Sequence, residues 1–380
     1  MEDQRGELFN GVRIAGGATM SCAGLRIGLV GPVPPPSGGM ANQTRQLQEL
    51  LTASGAVVTM VAVNAPYWPV WVGRVRVLRS AARLVPYLMA LWRAAGQTDV
   101  FHVMANSGWS WHLFAAPAIW MARLRGTAVI VNYRGGEAAE FLQRSARIVR
   151  FTMQQAVALV VPSGFLHEVF ARFGMSAEVV PNIIDLSRFH VRPSVRSGAP
   201  HLLVARNLEL LYDNETAIRA LEIVRTRFAD ARLTIAGSGP EENRLRKLVS
   251  TLGLDGHVHF AGRLEREAMA AMYRSADLIL NPSLADNMPN SVLEAWASGV
   301  PVVSTNVGGI PFIAKDGVNA SLVAASDPSG MARECFLLLS DAALWTQRAQ
   351  AGYVEAQRYT WTMVEPVLAG VYQRALARAA

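Results

Sequence analysis

Asp286 and Glu294 stand eight residues apart in the segment 281–299 (NPSLADNMPNSVLEAWASG). If a helix starts near Pro289, Asp286 lies in the loop before it and Glu294 in its second turn, so both carboxylates border one pocket. A carboxylate accepts hydrogen bonds from two vicinal hydroxyls at once, which is what a ribose or a hexose presents. Without more context Glu294 reads as a solvated helix position. Two further loops sit where a strand gives way to a helix. Residues 31–40 (GPVPPPSGGM) end in Gly38 and Gly39, small enough for backbone amides to approach a phosphate at the positive end of a helix. A plain tight turn explains that pair equally well. Residues 237–242 (GSGPEE) place Glu241 and Glu242 in a first helical turn, where acids suit the dipole, and the loop opening at Gly237 reads more readily as a structural helix start than as a phosphate cradle.

The stretch 132–137 (NYRGGE) is poor as helix or strand and reads as a functional loop. Arg134 cannot act as a base near neutrality, but it can bind phosphate or an anionic acceptor, with Glu137 placed to orient it. His102 ends a strand in the same half of the chain, either facing a ligand or satisfied in the core. Trp109 and Trp111 flank a small turn in 106–111 (NSGWSW) and suit stacking on a sugar face or packing in a core.

The elements that must position these residues alternate strand and helix. Apolar runs predict strands at 25–30, 57–63, 100–104, 128–132 and 158–162, with a helix at 40–54 after the first. A second series follows at 201–205, 232–236, 257–260, 277–281 and 301–304. This is the order of an α/β protein with two doubly wound parallel sheets. The aperiodic 191–200 (VRPSVRSGAP) is the linker, between a lobe at 25–190 and a lobe at 201–360, with the last helix, 361–380, returning to the first lobe. Residues 1–24 are expected to be a disordered extension, with Met20 an alternative start; they lack the basic and apolar regions of a secretory signal. At 380 residues, 51% hydrophobic and 17% charged, the chain has material for two cores and is far from a disordered composition. Cys22 and Cys335 are too few for a disulfide framework or a cysteine zinc site, which fits a reducing compartment. No apolar run reaches the roughly 18–20 residues of a spanning helix.

The series of motifs, taken in order, resembles the retaining glycosyltransferases of the GT4 kind, with the GT-B fold. The acid-x7-Glu pair lies among a Pro-Ser strand end, the run Glu294-Ala-x-Ala-x-Gly-x-Pro-Val-Val and the Gly308-Gly309 loop. Ahead of it come Gly38-Gly39, Asp99-Val-Phe-His102, Val161-Pro-Ser163, Val180-Pro-Asn182, Arg206-Asn-Leu208 and Ala236-Gly-Ser-Gly-Pro240. The likeness runs from about Leu25 to Tyr372. It implies two facing Rossmann-like lobes with a cleft between them, the first for the acceptor and the second for a nucleotide-sugar donor. It further implies that Glu294 holds the nucleotide ribose, that Asn290, Ser291, Gly237, Gly38 and Gly39 are donor-side contacts, and that Asp286 contacts the donor sugar. Arg206 would stabilise the leaving diphosphate, and His102, Glu137 and Trp109 would lie on the acceptor side. Three positions depart from the pattern. Asp286 stands for a glutamate, Leu211 and Tyr212 occupy the place of a phosphate-binding lysine, and Arg134 stands for a histidine. The expected reaction is hexose transfer with retention, by front-face displacement. No Asp-x-Asp motif occurs, so no metal and no other cofactor is expected.

The chain carries a net charge of +7, with 36 basic residues of which only Lys247 and Lys315 are lysines. Between Val61 and Ile130 seven arginines (Arg74, Arg76, Arg79, Arg83, Arg93, Arg123, Arg125) face one acid, Asp99. That concentration argues against nucleic acid. Within it, 70–95 mixes Trp, Leu and Val with five arginines and no acid, which suits either a helix lying on anionic lipid or a core helix with a solvated basic face. The expected partners are therefore a UDP- or GDP-linked sugar, a glycan or lipid-linked acceptor, and an anionic membrane surface, in the cytoplasm or at its inner membrane face. The three departures keep two rivals open, a weakly active or inactive nucleotide-sugar-binding protein and a nucleotide-sugar epimerase on the same scaffold. A nicotinamide dehydrogenase is set aside, because Gly31 to Gly39 lacks Gly-x-Gly-x-x-Gly.

Overall fold

A computed structural model describes residues 20–35, 38–65, 76–191 and 198–379. The chain divides into two units, Met1–Asn182 with Trp361–Ala380, and Ile183–Thr360. The division falls ahead of 191–200, and residues 192–197 of that segment lie outside the described set.

In the first unit the order is β1 (Arg26–Gly31), α1 (Gly39–Ala53), β2 (Val57–Ala62), α2 (Arg76–Ala95), β3 (Val100–Ala105), a π-helical turn (Trp111–Ala115) running into α3 (Ala116–Leu124), β4 (Ala128–Tyr133), α4 (Ala138–Met153), β5 (Ala158–Val161), α5 (Gly164–Arg172) and β6 (Glu178–Val179). The strands form one parallel sheet in the order β2-β1-β3-β4-β5-β6. Every residue of β3 and β4 is buried, the expected state of a central parallel strand covered on both faces. Phe101 and Val103 share a core with Leu91, Trp111 and Ile119 of the helical layer formed by α2, the π-helical turn and α3. Side chains alternate along a strand, so His102 points the other way. There it meets the last helix, α13 (Trp361–Ala379), which packs on β3 and β4.

The second unit contains β7 (His201–Val204), α6 (Asn214–Val224), β8 (Arg232–Ala236), α7 (Glu242–Thr251), β9 (Val258–Gly262), α8 (Arg266–Ser275), β10 (Leu278–Asn281), α9 (Asn290–Ala297), β11 (Val302–Thr305), α10 (Ile310–Ile313), β12 (Ser321–Val323), α11 (Pro328–Ser340) and α12 (Ala342–Ala356). Its sheet is also parallel, ordered β12-β11-β10-β7-β8-β9. The chain builds outward from β7 to β9 and then returns to lay β10 on the other side of β7. Loops leaving β7 and β10 therefore part company, and such a switch point is where open parallel sheets bind ligands. Strands β6 and β12 were not expected from sequence, because two and three residues are too short for a pattern to show.

One expectation is corrected at the start of the chain. Residues 20–24, read as the end of a disordered extension, are held in the first unit. Cys22 is fully buried, its N–H donates to Glu365 Oε1 at 3.2 Å, and Gly24 N–H donates to the Gly55 carbonyl at 3.0 Å. Among the described residues no helix is long and apolar enough to cross a membrane.

Candidate active site

The switch point of the second sheet is marked by Arg206, in the loop after β7. Its Nε donates to Oδ1 of Asn281, the last residue of β10, at 2.8 Å. Its Nη2 pairs with Oδ2 of Asp286, in the loop after β10, and the two side chains are only 12% and 11% exposed. The guanidinium carbon lies 5.0 Å from the centre of the Tyr212 ring, so the place of the absent lysine carries an aromatic face that steadies the arginine. Asn281 is fixed in turn, donating from Nδ2 to Ser304 Oγ on β11 at 2.9 Å. Among the described residues Arg206 engages Nε and Nη2 only, which leaves Nη1 donors for another anion. Burial lowers its pKa, against the opposing pull of Tyr212, Tyr273 and Glu294.

The Asp286 loop is held by its neighbours. Asp286 Oδ1 accepts from the Asn287 N–H at 2.9 Å, and the Asp286 carbonyl accepts from Gly309 N–H at 2.9 Å. A Cβ at Gly308 would stand 2.1 Å from the Asp286 carbonyl oxygen, and one at Gly309 would stand 1.8 Å from that of Asn287. Gly308 also has φ +53°. Only glycines allow these two loops to nest.

Helix α9 starts at Asn290, after extended Pro289, with no side-chain cap. Its first N–H groups are oriented to receive an acceptor. Ser291 Oγ is buried there and has no hydrogen-bond partner among the described residues. One turn on, burial pushes the Glu294 carboxyl up to about 7, against the pull of the Tyr273 hydroxyl and of Arg206, Arg266 and Arg188. Among the described residues the Tyr273 hydroxyl makes no hydrogen bond of ordinary geometry, yet it is close enough to Glu294 to feel its charge. Glu294, Arg206 and Asp286 thus belong to one cluster.

Gly237 serves that cluster indirectly. A Cβ there would lie 2.0 Å from the Arg206 carbonyl oxygen, and the same loop is tied back by Leu208 N–H to Ser238 O at 3.1 Å and Glu241 N–H to Leu208 O at 2.9 Å. These contacts brace the segment that carries Arg206.

In the first unit a polar chain runs through the sheet. Arg134 Nε donates to Asn132 Oδ1 at 2.8 Å, and Asn132 Nδ2 meets His102 Nε2 at 2.9 Å. An amide nitrogen can only donate, so Nε2 accepts. The imidazole then carries its proton on Nδ1 and donates to Tyr372 Oη on α13, at 2.7 Å. Arg134 Nη1 also donates to Gln43 Oε1 at 3.0 Å and to Asn182 Oδ1. All three partners are neutral, and among the described residues no carboxylate forms an ion pair with Arg134. Burial lowers its pKa to about 10, so it stays charged near neutrality.

Two acceptor-side expectations are corrected. His102 is fully buried between strand and helix and touches nothing outside the core; burial and then the Arg134 charge lower its pKa to about 3. Glu137 is exposed at the start of α4 and makes no bond to Arg134 among the described residues; amides orient the guanidinium instead. The two tryptophans separate, with Trp111 in the core and Trp109 77% exposed, edge-on to His112. At Gly38 and Gly39 no described atom lies within 4 Å of a Cβ position, and Gly38 precedes α1 without a side-chain cap. Sequence reasoning missed Asn281 and Asn132, although an amide at or next to the end of an apolar strand is a readable signal. Among the described residues no group of three or more His, Cys, Asp or Glu side chains could hold a metal ion.

Two parallel α/β units, one with a guanidinium and two carboxylates at its switch point, place the chain in the GT-B fold class. Residues 200–341 match the family described as "Glycosyl transferases group 1", and residues 38–182 match "Glycosyl transferase 4-like domain". The chain belongs to this family of group 1 glycosyltransferases and is an enzyme of the EC 2.4 type. It is 28% identical to a phosphatidyl-myo-inositol mannosyltransferase of Mycobacterium leprae, over 92% of this chain and 96% of that one. A D-inositol 3-phosphate glycosyltransferase of Pseudarthrobacter chlorophenolicus is 29% identical, over 62% of this chain and 57% of its own length. Among solved structures, sucrose-phosphate synthase from Thermosynechococcus elongatus has a TM-score of 0.76 at 18% identity, covering 93% of this chain and 100% of that one. Anabaena HepE in complex with UDP has a TM-score of 0.70 at 16% identity, covering 92% and 100%.

Proposed function

We propose that the chain moves a hexose from a UDP- or GDP-linked donor to a hydroxyl of a glycan or lipid-linked acceptor, with retention at the anomeric carbon and without a metal ion. The observation that carries this reading is Arg206, set at the switch point by Asn281 and Asp286 and within electrostatic reach of Glu294. Glu294 accepts from the ribose hydroxyls, and Asp286 accepts from a hydroxyl of the donor sugar. The uncapped start of α9 with Ser291, together with the remaining Arg206 donors, receives the diphosphate. As the bond from C1 to the diphosphate oxygen breaks, charge grows on that oxygen, and a preorganised guanidinium stabilises it. The acceptor oxygen bonds to C1 on the same face, and its proton passes to the departing phosphate oxygen. Arg134 in the first unit holds an anionic group of the acceptor.

The relatives support the choice of substrates. One is a mannosyltransferase of phosphatidyl-myo-inositol, and HepE has been solved with UDP and with UDP-glucose. The enzyme then works in the cytoplasm, at the inner face of the membrane that carries a lipid-linked acceptor, and its basic excess serves lipid headgroups rather than nucleic acid. The deciding experiment is a thermal-shift and donor-hydrolysis screen across UDP, GDP, ADP and their common sugars, with and without EDTA. A stabilising donor that is slowly hydrolysed, with the released sugar first appearing in the donor's own anomeric form, is the expected result. Inverted sugar, or activity lost in EDTA and restored by manganese, would remove those parts of the proposal.

A further inference from the structure

The exposed apolar side chains of the first unit are not scattered. On α2, Val85, Met89 and Trp92 recur at helical spacing and are 43–56% exposed. On α3, Leu124 is 70% exposed, and on α4, Ile148 and Phe151 are each 60% exposed. Two contacts join these helices into one surface. The Arg125 guanidinium lies 4.7 Å over the Trp92 ring, linking the ends of α2 and α3. Gly96 makes room for it, since a Cβ there would stand 2.0 Å from Arg125 Nη2. The Trp120 and Phe151 rings, 5.6 Å apart, link α3 to α4.

Charge follows the same surface. Among the described side chains of the three helices there are six exposed arginines (Arg83, Arg93, Arg123, Arg144, Arg147 and Arg150) and a single acid, Glu140, which sits in the first turn of α4. Ile148 and Phe151 lie at the other end of that helix, beside Arg144, Arg147 and Arg150. Apolar groups of this size left in water, ringed by cations, mark an interaction surface. A bilayer with anionic headgroups satisfies both parts, since indole and alkyl groups enter the interface while arginines reach the phosphates with their stems buried.

We propose that the outer face of α2, α3 and α4 docks on an anionic lipid bilayer. The described determinants lie on three helices and not on the segment 70–95 alone, of which residues 70–75 and the side chains of 76–82 lie outside the described set. Crossover helices run against their strands, so Trp92, Leu124 and Phe151 lie toward the amino ends of the strands. The loops at the carboxyl ends, including that of Arg134, stay uncovered. Docking rests on the lipid-headgroup contact proposed above and names the surface that makes it, while its test does not require sugar transfer.

The test is co-sedimentation of the full chain with vesicles of phosphatidylcholine containing or lacking phosphatidylglycerol. Wild type is expected to pellet with the anionic vesicles only. The variant Leu124→Ser/Ile148→Ser/Phe151→Ser should bind at least about tenfold less, given roughly 0.8 kcal/mol for each buried methylene. The pair Arg144→Glu/Arg147→Glu should lose the dependence on phosphatidylglycerol. Donor hydrolysis and melting temperature report folding in each variant, and Leu124→Glu alone serves if the triple variant fails to fold. Equal pelleting of wild type and variants overturns the proposal. So does a wild-type dimer in light scattering that ignores vesicles and becomes monomeric in the triple variant, which would make a second copy the occupant. Intact vesicle binding without donor hydrolysis would instead sink the transfer reading and leave docking in place.

Discussion

Arg206 and Asp286, eighty residues apart in sequence, form an ion pair between the loops after β7 and β10, with both side chains largely buried. Removing either partner strands a charge in a poorly solvated place, whereas removing both does not. Arg206→Gln and Asp286→Asn should each destabilise the protein, and the double variant should recover much of the loss. A double-mutant cycle by urea unfolding is expected to give a coupling of about 1–3 kcal/mol. Catalysis should part from stability, with Arg206→Gln lowering kcat for donor hydrolysis by about 10²-fold or more and the double variant showing no recovery.

Glu294 supplies a pH signature. Burial raises its pKa from 4.5 to about 7, so the folded protein holds a proton that the unfolded chain has already released. Between those values the native state binds more protons than the unfolded state, so this group's contribution to stability falls as pH rises from about 4.5 through 7. Glu294→Gln should melt with a shallower pH dependence across that window. Ribose hydroxyls need an ionised acceptor, so donor-induced stabilisation of wild type should grow from pH 6 to pH 8. Glu294→Ala should show no donor shift at any pH, and a retained shift would move the ribose site elsewhere.

Gly309 can be separated from general stability. A Cβ there collides with the Asn287 carbonyl oxygen at 1.8 Å, whereas one at Gly256, in the same unit, meets nothing within 4 Å. Gly309→Ala is expected to cost about 1–3 kcal/mol and to abolish donor-induced stabilisation by displacing the Asp286 loop. Gly256→Ala should leave both unchanged. Differential scanning fluorimetry with and without donor reads the two effects together.

The layout of the fold was readable because its central strands are nearly unbroken apolar runs, such as VFHVMA and AVIVNY, punctuated by loops rich in Gly and Pro. Asp286, Glu294 and Arg206 could be singled out from residue type and spacing. That Arg206 and Asp286 bind each other could not, because their pairing depends on strand order, with β10 laid beside β7. The same limit hid the fate of His102. Alternation along β3 sets it opposite Phe101, but only tertiary structure shows that a helix 270 residues later closes over it. The apolar face on α2, α3 and α4 is likewise assembled from side chains that look unremarkable in each helix alone.

Arg134 and His102 make a last, linked test. Arg134 is charged, fixed by three amides and free of any carboxylate ion pair among the described residues, whereas His102 behind it is neutral. Losing a charge-assisted hydrogen bond to an anionic acceptor costs about 1.5–3 kcal/mol. Arg134→Gln should therefore raise the KM for such an acceptor roughly 10- to 100-fold, with donor hydrolysis and donor-induced thermal shift kept. Lysine cannot reproduce the forked contacts to Asn132, Gln43 and Asn182, so Arg134→Lys should rescue little. His102→Asn removes the link to Tyr372 and should lower activity at every pH without changing the shape of the pH–rate profile between pH 5 and 9. With its pKa depressed to about 3, the imidazole does not titrate in that range. A wild-type limb near pH 6.5 that disappears in His102→Asn would show that the histidine does change protonation during turnover, and would make it a participant in the reaction rather than a core residue.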